Sequence, residues 1–207
     1  MRSKIISISL IFVFFALIFV GCKKGENDPA LSLLSRKARL TGIWNLTDAN
    51  YTIKNNNNNT TVYSYDGDSE LMTETFTGNN NSGTETYTYS KILTINKDNS
   101  YNDLETIVNG GTSTFETEGF WYFAPSNDEL DVKNKERVVF EITKITHTSD
   151  NDNNWFDSYS GATNSRVDVF LLDQLSNKQI TVLFDYTATD DDGLVYSISG
   201  SAVFSQE

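Results

Sequence analysis

Strict alternation of apolar and polar residues over long runs is the feature that most constrains this fold. The run QITVLFDYTA places Ile180, Val182 and Phe184 on one face, and LVYSISGSAVF does the same for Tyr196 and Ile198. Successive side chains of a strand point to opposite faces, so this period predicts strands with one buried face. TDDDG separates the two runs and is a turn sequence, so we expect a β-hairpin here.

Similar runs recur from Gly42 onward, separated by segments rich in Asn, Asp and Gly, such as NNNNN and SDNDNN. Thirteen Phe and ten Tyr with only two Pro favour sheet over helix. We therefore predict an all-β fold of about eight to ten antiparallel strands, arranged as a barrel or a sandwich. An up-and-down barrel is favoured because a closed sheet leaves no unpaired edge.

A short helix is predicted ahead of the first strand. Asp28 is a suitable N-cap, Pro29 suits the first helical position, and Leu31, Leu34 and Ala38 recur at helical spacing. The helix is expected to end near Thr41.

The N-terminus has the pattern of an export signal. Arg2 and Lys4 precede an apolar run, residues 5–20, that ends at Gly21 and the single cysteine, Cys22. FVGC resembles the lipobox of bacterial lipoproteins, in which cleavage before the cysteine is coupled to diacylglycerol transfer onto its sulfur. The alternatives are an ordinary secretory signal with an incidental cysteine, or an uncleaved anchor.

The expected organisation is a signal peptide at 1–21, a polar tether at 22–29 and a barrel domain at 30–207. The chain carries 28 acidic against 16 basic residues, which disfavours nucleic acid as a partner. With a single cysteine, the domain has no intramolecular disulfide and depends on its core.

Two Gly-x-Trp motifs carry a further resemblance. TGIWNLT, with Gly42 and Trp44, follows the predicted helix, and TEGFWYF supplies Gly119 and Trp121. These pieces resemble lipocalin-like lipoproteins of the bacterial envelope, and the resemblance implies a lipocalin-like barrel with one end closed by the tryptophan. Classical lipocalins pair the first-strand tryptophan with a late arginine, whereas no arginine follows Arg166 in this chain.

Catalytic and metal-binding groupings are weakly represented. His147 is the only histidine, and we expect it at the surface end of a strand. Glu116 and Glu118 alternate with an apolar face, which turns both to solvent. The DNDNN segment lacks the glycine and glutamate of a calcium loop and suits a turn. The sequence therefore predicts no enzyme, no metal site and no cofactor.

Two functions of different class follow from these features. The first is an anchored lipocalin-like domain that binds a small apolar or amphipathic molecule, or serves as an interaction scaffold, with a cavity lined by inward-facing residues (Ile180, Val182, Phe184, Tyr196 and Ile198). The second is a surface module that contacts glycans or proteins through loop aromatics (Trp155, Phe156 and Tyr159). In both cases the acylated Cys22 would attach the protein to a membrane of the cell envelope. The outer membrane is expected, with the protein on either its periplasmic or its outer surface.

Overall fold

The computed structural model describes most of the predicted barrel domain. The described residues are 27–29, 34–78, 81–128, 136–151, 154–159, 166–189 and 193–206. The predicted signal peptide and Cys22 lie outside them, as do Leu31 of the predicted helix and most of the tether.

The described residues form one short α-helix and eleven β-strands. Helix α1 spans Arg36–Leu40. The strands are β1 (Gly42–Asn55), β2 (Thr60–Asp66), β3 (Leu71–Thr77), β4 (Ser82–Ile95), β5 (Ser100–Val108), β6 (Thr112–Phe123), β7 (Arg137–Ser149), β8 (Trp155–Ser158), β9 (Arg166–Leu175), β10 (Gln179–Thr189) and β11 (Val195–Ser205).

Ten of these strands close into one antiparallel barrel. Strands β1 to β7 pair in chain order, β7 pairs with β9, and β9, β10 and β11 lead back to β1. Strand β8 pairs with β7 and lies outside the ring. The prediction of an all-β up-and-down barrel is confirmed. The β10–β11 hairpin has the predicted pairing of inward faces, with Ile180 opposite Phe204 and Tyr186 opposite Ile198.

The barrel has two halves of different width. In the narrow half, Gly42–Asn45 of β1 pair directly with β4. In the wide half, Asp48–Lys54 of β1 pair with β2, so that the β2–β3 hairpin is inserted into the wall. The wall therefore has eight strands in the narrow half and ten in the wide half. Eight strands enclose just enough space for side chains, and barrel diameter grows with strand number.

The narrow half is filled by apolar side chains. Residues from all around the wall meet there and are almost completely buried; they include Leu93, Ile95, Val138, Phe140, Leu172, Leu175, Ile180, Val182 and Phe204. Burying a side chain of this size contributes about 1.5 to 3 kcal/mol relative to exposure. This half supplies the hydrophobic core.

The two Gly-x-Trp motifs close the narrow end. Trp44 and Trp121 are both buried. The Trp44 indole N–H donates to the Leu40 carbonyl at 2.8 Å, and that of Trp121 donates to the Asn96 carbonyl at 2.9 Å. A buried indole is stable when its N–H has a partner. Each tryptophan thus fills the barrel end and also fixes a neighbouring piece of backbone.

Gly119 is required by a close approach between strands. The register between β6 and β7 shifts at Glu118 and Gly119, where Thr143 is the extra residue on β7, and a Cβ at Gly119 would lie 2.0 Å from the Glu141 carbonyl oxygen of β7. Only glycine fits this spacing without displacing a strand.

Helix α1 is shorter than the sequence predicts. It has five residues and begins at Arg36, whereas the predicted helix begins after Asp28. Ser35 is the N-cap, and its hydroxyl accepts a hydrogen bond from the Ala38 N–H at 3.1 Å. Asp28 makes tertiary contacts, and its Oδ1 accepts a hydrogen bond from the Leu175 N–H at 2.7 Å.

A buried charge cluster attaches the N-terminal segment to the narrow end. Asp28, Arg36 and Arg39 are each at least nine-tenths buried. The Asp28 carboxylate pairs with Arg36 and lies 3.7 Å from the Arg39 guanidinium, which also donates to the Leu175 carbonyl. Burial lowers the pKa of Arg36, and the charge of Asp28 partly offsets this effect. Asp28 therefore contacts two buried cations, and the charge of Glu136 also acts to raise the pKa of Arg36.

Candidate functional site

The inner surface of the wide half is charged. On β4 the inward phase that contains Leu93 continues through Lys91, Tyr89 and Tyr87. Lys91 lies opposite Glu105 on β5, and this register places Asp103 and Glu105 on the inner face. These three side chains are only partly exposed, at 18 to 29%, and charges removed from water are costly unless they are paired.

Lys91 connects two carboxylates of the neighbouring strand. Its Nζ lies 2.8 Å from Asp103 Oδ2 and 3.2 Å from Glu105 Oε2. Burial alone would lower the pKa of Lys91, but the charge of Asp103 and the other surrounding groups raises it well above its usual value. Burial raises the pKa of Asp103, and Lys91 opposes that shift. The group carries one positive against two negative charges.

Tyrosine rings surround this ion group. Tyr51 stacks on Tyr63 with ring centroids 4.8 Å apart, and it meets Phe184 edge-on at 5.6 Å. Tyr65 and Tyr89 meet edge-on at 5.5 Å. Tyrosine combines a flat apolar face with a hydroxyl, so this lining offers both stacking and hydrogen bonding to a ligand.

Three polar groups next to the ion group have no partner among the described residues. The Tyr101 hydroxyl and Asp103 Oδ1 are buried and make no hydrogen bond. Tyr101 is 4% exposed, and its ring meets Phe140 edge-on at 4.8 Å. Asp168 on β9 lies directly opposite Phe140, which places its side chain on the inner face, and it makes no ion pair or hydrogen bond there. The Tyr101 hydroxyl and Asp103 Oδ1 are therefore buried without a partner, which is rare in native proteins and needs an explanation, whereas Asp168 is exposed to solvent.

The wide half is accessible from outside. Asp168 and Tyr186 face inward by their register but are exposed. Strand β10 pairs with β9 only through Ile180–Leu183, and beyond Leu183 its only ladder partner among the described residues is β11. The exposure of Asp168 and Tyr186 shows that, among the described residues, solvent reaches the inner surface near this part of β10.

Burial keeps most of the tyrosines protonated. Burial is the first cause of a raised pKa at each of seven tyrosines; these are Tyr51, Tyr63, Tyr65, Tyr87, Tyr89, Tyr101 and Tyr186. For Tyr63 the pKa rises to about 12. The environment of the wide half therefore disfavours the phenolate form.

We expect stability to be lost in alkali. Because the tyrosine pKa values are higher in the folded protein than in the unfolded chain, where they are about 10, stability is complete below about pH 10 and falls as the pH rises further. The raised pKa of Lys91 acts in the same direction. An absorbance titration of tyrosinate, followed in parallel with far-ultraviolet circular dichroism, should show most tyrosines ionising together with unfolding. Ionisation of all ten near pH 10 with unchanged circular dichroism would contradict this expectation.

The residues predicted from sequence to line a cavity are divided between the two halves. Ile180 and Val182 belong to the filled core of the narrow half. Phe184, Tyr196 and Ile198 are half-buried in the wide half, where Phe184 contacts Tyr51.

The prediction of a loop at Trp155, Phe156 and Tyr159 is wrong. Trp155 and Phe156 belong to strand β8, and Tyr159 follows it, with its N–H donating to the Thr143 carbonyl at 2.8 Å. Alternation along β8 turns Trp155 and Phe156 to opposite faces, and Tyr159 packs against the core. The three rings therefore do not form a single surface cluster.

The sequence predicts His147 at the surface, and this prediction is wrong. The side chain is buried on the inner face of β7. Its ring lies 4.5 Å from the Phe115 ring and 5.4 Å from the Trp155 ring. Strand β8 pairs with β7 here and places Trp155 opposite His147. The sequence pattern does not show this pairing. By contrast, Glu116 and Glu118 do face outward, where they contact Asn102 and Lys144.

The sequence patterns did not single out Lys91, Asp103, Glu105, Tyr101 or Asp168. A signal was present, because the alternation in TYSKILTI places Lys91 in phase with Leu93. A charged residue in the apolar phase of a strand indicates either an error in phase or a functional interior.

An apolar band also lies on the outside of the barrel. Phe120 and Val167 flank Glu141 across β6, β7 and β9, and Tyr122 and Val169 flank Val139 one step along. Phe120, Tyr122, Val167 and Val169 are each 44 to 54% exposed. Contiguous exposed apolar side chains of this kind are typical of contact surfaces.

The fold and the inner surface define a closed antiparallel β-barrel compatible with a lipocalin-like fold and with ligand binding. No family model, curated protein or solved structure matches this chain. Among the described residues, no three His, Cys, Asp or Glu side chains are grouped to hold a metal ion. The same part of the chain contains no helix with the length and hydropathy needed to cross a membrane.

Proposed function

We propose that this chain is a membrane-anchored, extracytoplasmic lipocalin-like lipoprotein that binds a small amphipathic molecule in the wide half of its barrel. The observation that carries the proposal is the inward-facing ion group of Lys91, Asp103 and Glu105 within a tyrosine-lined wall. A barrel stabilised only by its core would place apolar residues at these positions. The lipobox-like FVGC supports anchoring through Cys22 in the cell envelope.

The proposed role is binding rather than catalysis, with no cofactor. Lys91 is held by two carboxylates, and its raised pKa keeps it protonated at neutral pH. A protonated lysine in this state serves as a fixed charge and not as a base or a nucleophile.

A neutral fluorescent probe tests the proposal. N-phenyl-1-naphthylamine added to the chain from Asn27 onward should bind saturably with one-to-one stoichiometry. Phe184→Trp enlarges an inner-face side chain and should change the dissociation constant by about threefold or more, which corresponds to a change in binding free energy of at least about 0.6 kcal/mol. Leu183→Trp is the matched control, because Leu183 faces outward on the same strand and should leave binding unchanged.

Absence of saturable binding to a folded chain would contradict the proposal, as would an equal response of the two variants. Absence of saturable binding would favour a second candidate, a surface module that contacts proteins or glycans. The outer apolar band and Phe156, which is 69% exposed, are the observations that support this candidate.

A further inference from the structure

The wide half has an excess of negative charge on its inner face. Among the described residues, strand register places five carboxylates there and two cations; the carboxylates are Glu74, Glu85, Asp103, Glu105 and Asp168, and the cations are Lys91 and Arg166. Lys91 is already engaged by Asp103 and Glu105, and Glu74 accepts a hydrogen bond from Tyr63 at 3.3 Å. The inner surface is therefore suited to a ligand of positive charge.

The groups without a partner are all able to accept a hydrogen bond. Asp103 Oδ1 and both oxygens of Asp168 can only accept, and the Tyr101 hydroxyl can accept as well as donate. Tyr101 is more than nine-tenths buried and lies close enough to Asp168 and Asp103 for their charges to raise its pKa, after burial as the main cause. A ligand that satisfies these groups together must bring several N–H donors.

The rings that surround these acceptors suit a cation with an apolar body. Tyr51, Tyr63 and Phe184 pack face to face or edge to face on the inner wall, and Tyr186 stands half-exposed beside them. Aromatic faces attract ammonium groups through the charge distribution of the ring, and they also bury hydrocarbon.

We infer that the wide half binds a small organic cation, a primary ammonium group on an apolar or aromatic body. The ammonium group would lie between the Tyr101 hydroxyl and the carboxylates of Asp103 and Asp168, and the apolar body would lie against the tyrosine rings. This inference rests on the proposed function and specifies the class of its ligand.

Calorimetric titration of the full chain in lipid nanodiscs, with empty nanodiscs as the blank, tests the inference. The three probes share one aromatic body and differ in charge: phenethylammonium, neutral 2-phenylethanol and anionic 3-phenylpropionate. Phenethylammonium should bind at least about tenfold more tightly than either of the others, since a charged hydrogen bond contributes about 1.5 to 3 kcal/mol.

Two variants locate the ammonium group. Asp168→Asn should weaken phenethylammonium binding by about tenfold and leave N-phenyl-1-naphthylamine binding within about twofold. Tyr101→Phe keeps the ring against Phe140, and it should likewise weaken only the cation. Asp185→Asn is the matched control, because this exposed carboxylate faces outward on β10 and should have no effect.

The outcomes separate the two proposals. If 2-phenylethanol or 3-phenylpropionate binds as tightly as phenethylammonium, or if Asp168→Asn leaves cation binding unchanged, the inference is overturned while binding of an amphipathic ligand stands. If neither the neutral dye nor any of the three probes binds the folded chain, the proposed function is overturned as well.

Discussion

Replacing Asp28 by Asn is expected to lower the free energy of unfolding by about 3 to 5 kcal/mol. Asp28 is the carboxylate that contacts both buried guanidinium groups, Arg36 and Arg39. Removing one partner from a buried ion cluster leaves charge that is neither solvated nor compensated, which costs more than the pair itself contributes. The variant also weakens the acceptor for the Leu175 N–H.

Urea denaturation followed by circular dichroism measures this effect. Asp48→Asn is the matched control, because it makes the same charge change at an exposed position of β1 and should alter stability by less than about 0.5 kcal/mol. A loss below about 1 kcal/mol for Asp28→Asn would show that the N-terminal segment contributes little to the stability of the barrel.

Gly200→Ala should destabilise the barrel by more than about 4 kcal/mol, or prevent folding. Gly200 has a φ of +142°, which L-residues rarely adopt. A Cβ at this position would also lie 2.2 Å from the Asn50 carbonyl oxygen and 2.5 Å from the Tyr51 Cα, both backbone atoms of β1. Because β1 and β11 close the ring, neither strand can move without opening the barrel.

Gly193→Ala separates the effect of backbone strain at positive φ from the effect of the close approach between β1 and β11. Gly193 also has a positive φ, +80°, but a Cβ added there would have no neighbouring atom within 4 Å. We expect this variant to cost about 1 to 2 kcal/mol from backbone strain alone. Thermal denaturation of both variants would contradict the close-approach explanation if their melting temperatures were equally lowered.

The narrow end obtains its cations from the N-terminal side of the barrel. Arg39 of α1 is buried at the barrel end, and the Lys37 Nζ lies 5.4 Å from the centre of the Trp121 ring. Helix α1 therefore supplies positive charge at this end of the barrel.

The interiors of the two halves differ in their chemistry. Apolar burial in the narrow half stabilises the fold, whereas the wide half contains an ion group and a hydroxyl without a partner. Groups of this kind lower stability, and natural proteins keep them mainly where they serve a function. The insertion of β2 and β3 into the wall of the wide half creates the room in which such groups can remain.

The sequence by itself determined most of the strands and their inward faces, with β8 and the buried position of His147 as exceptions. Period-2 alternation arises from the local geometry of the chain, so the faces of β10 and β11 and the hairpin tip at Asn55–Asn59 could be read directly. There Asn58 has a positive φ and the Asn57 N–H donates to the Asn55 side chain, as the turn chemistry predicts.

Only the tertiary structure decided where those faces meet. Whether an inward face lies in the narrow or the wide half depends on which strands are inserted beside it, which is a long-range property of the sheet. For this reason Ile180 fills a core while Phe184, four residues further, lies on the inner surface of the wide half and contacts Tyr51. The meeting of Lys91, Asp103 and Asp168 from three strands likewise depends on register and closure, which local periodicity does not contain.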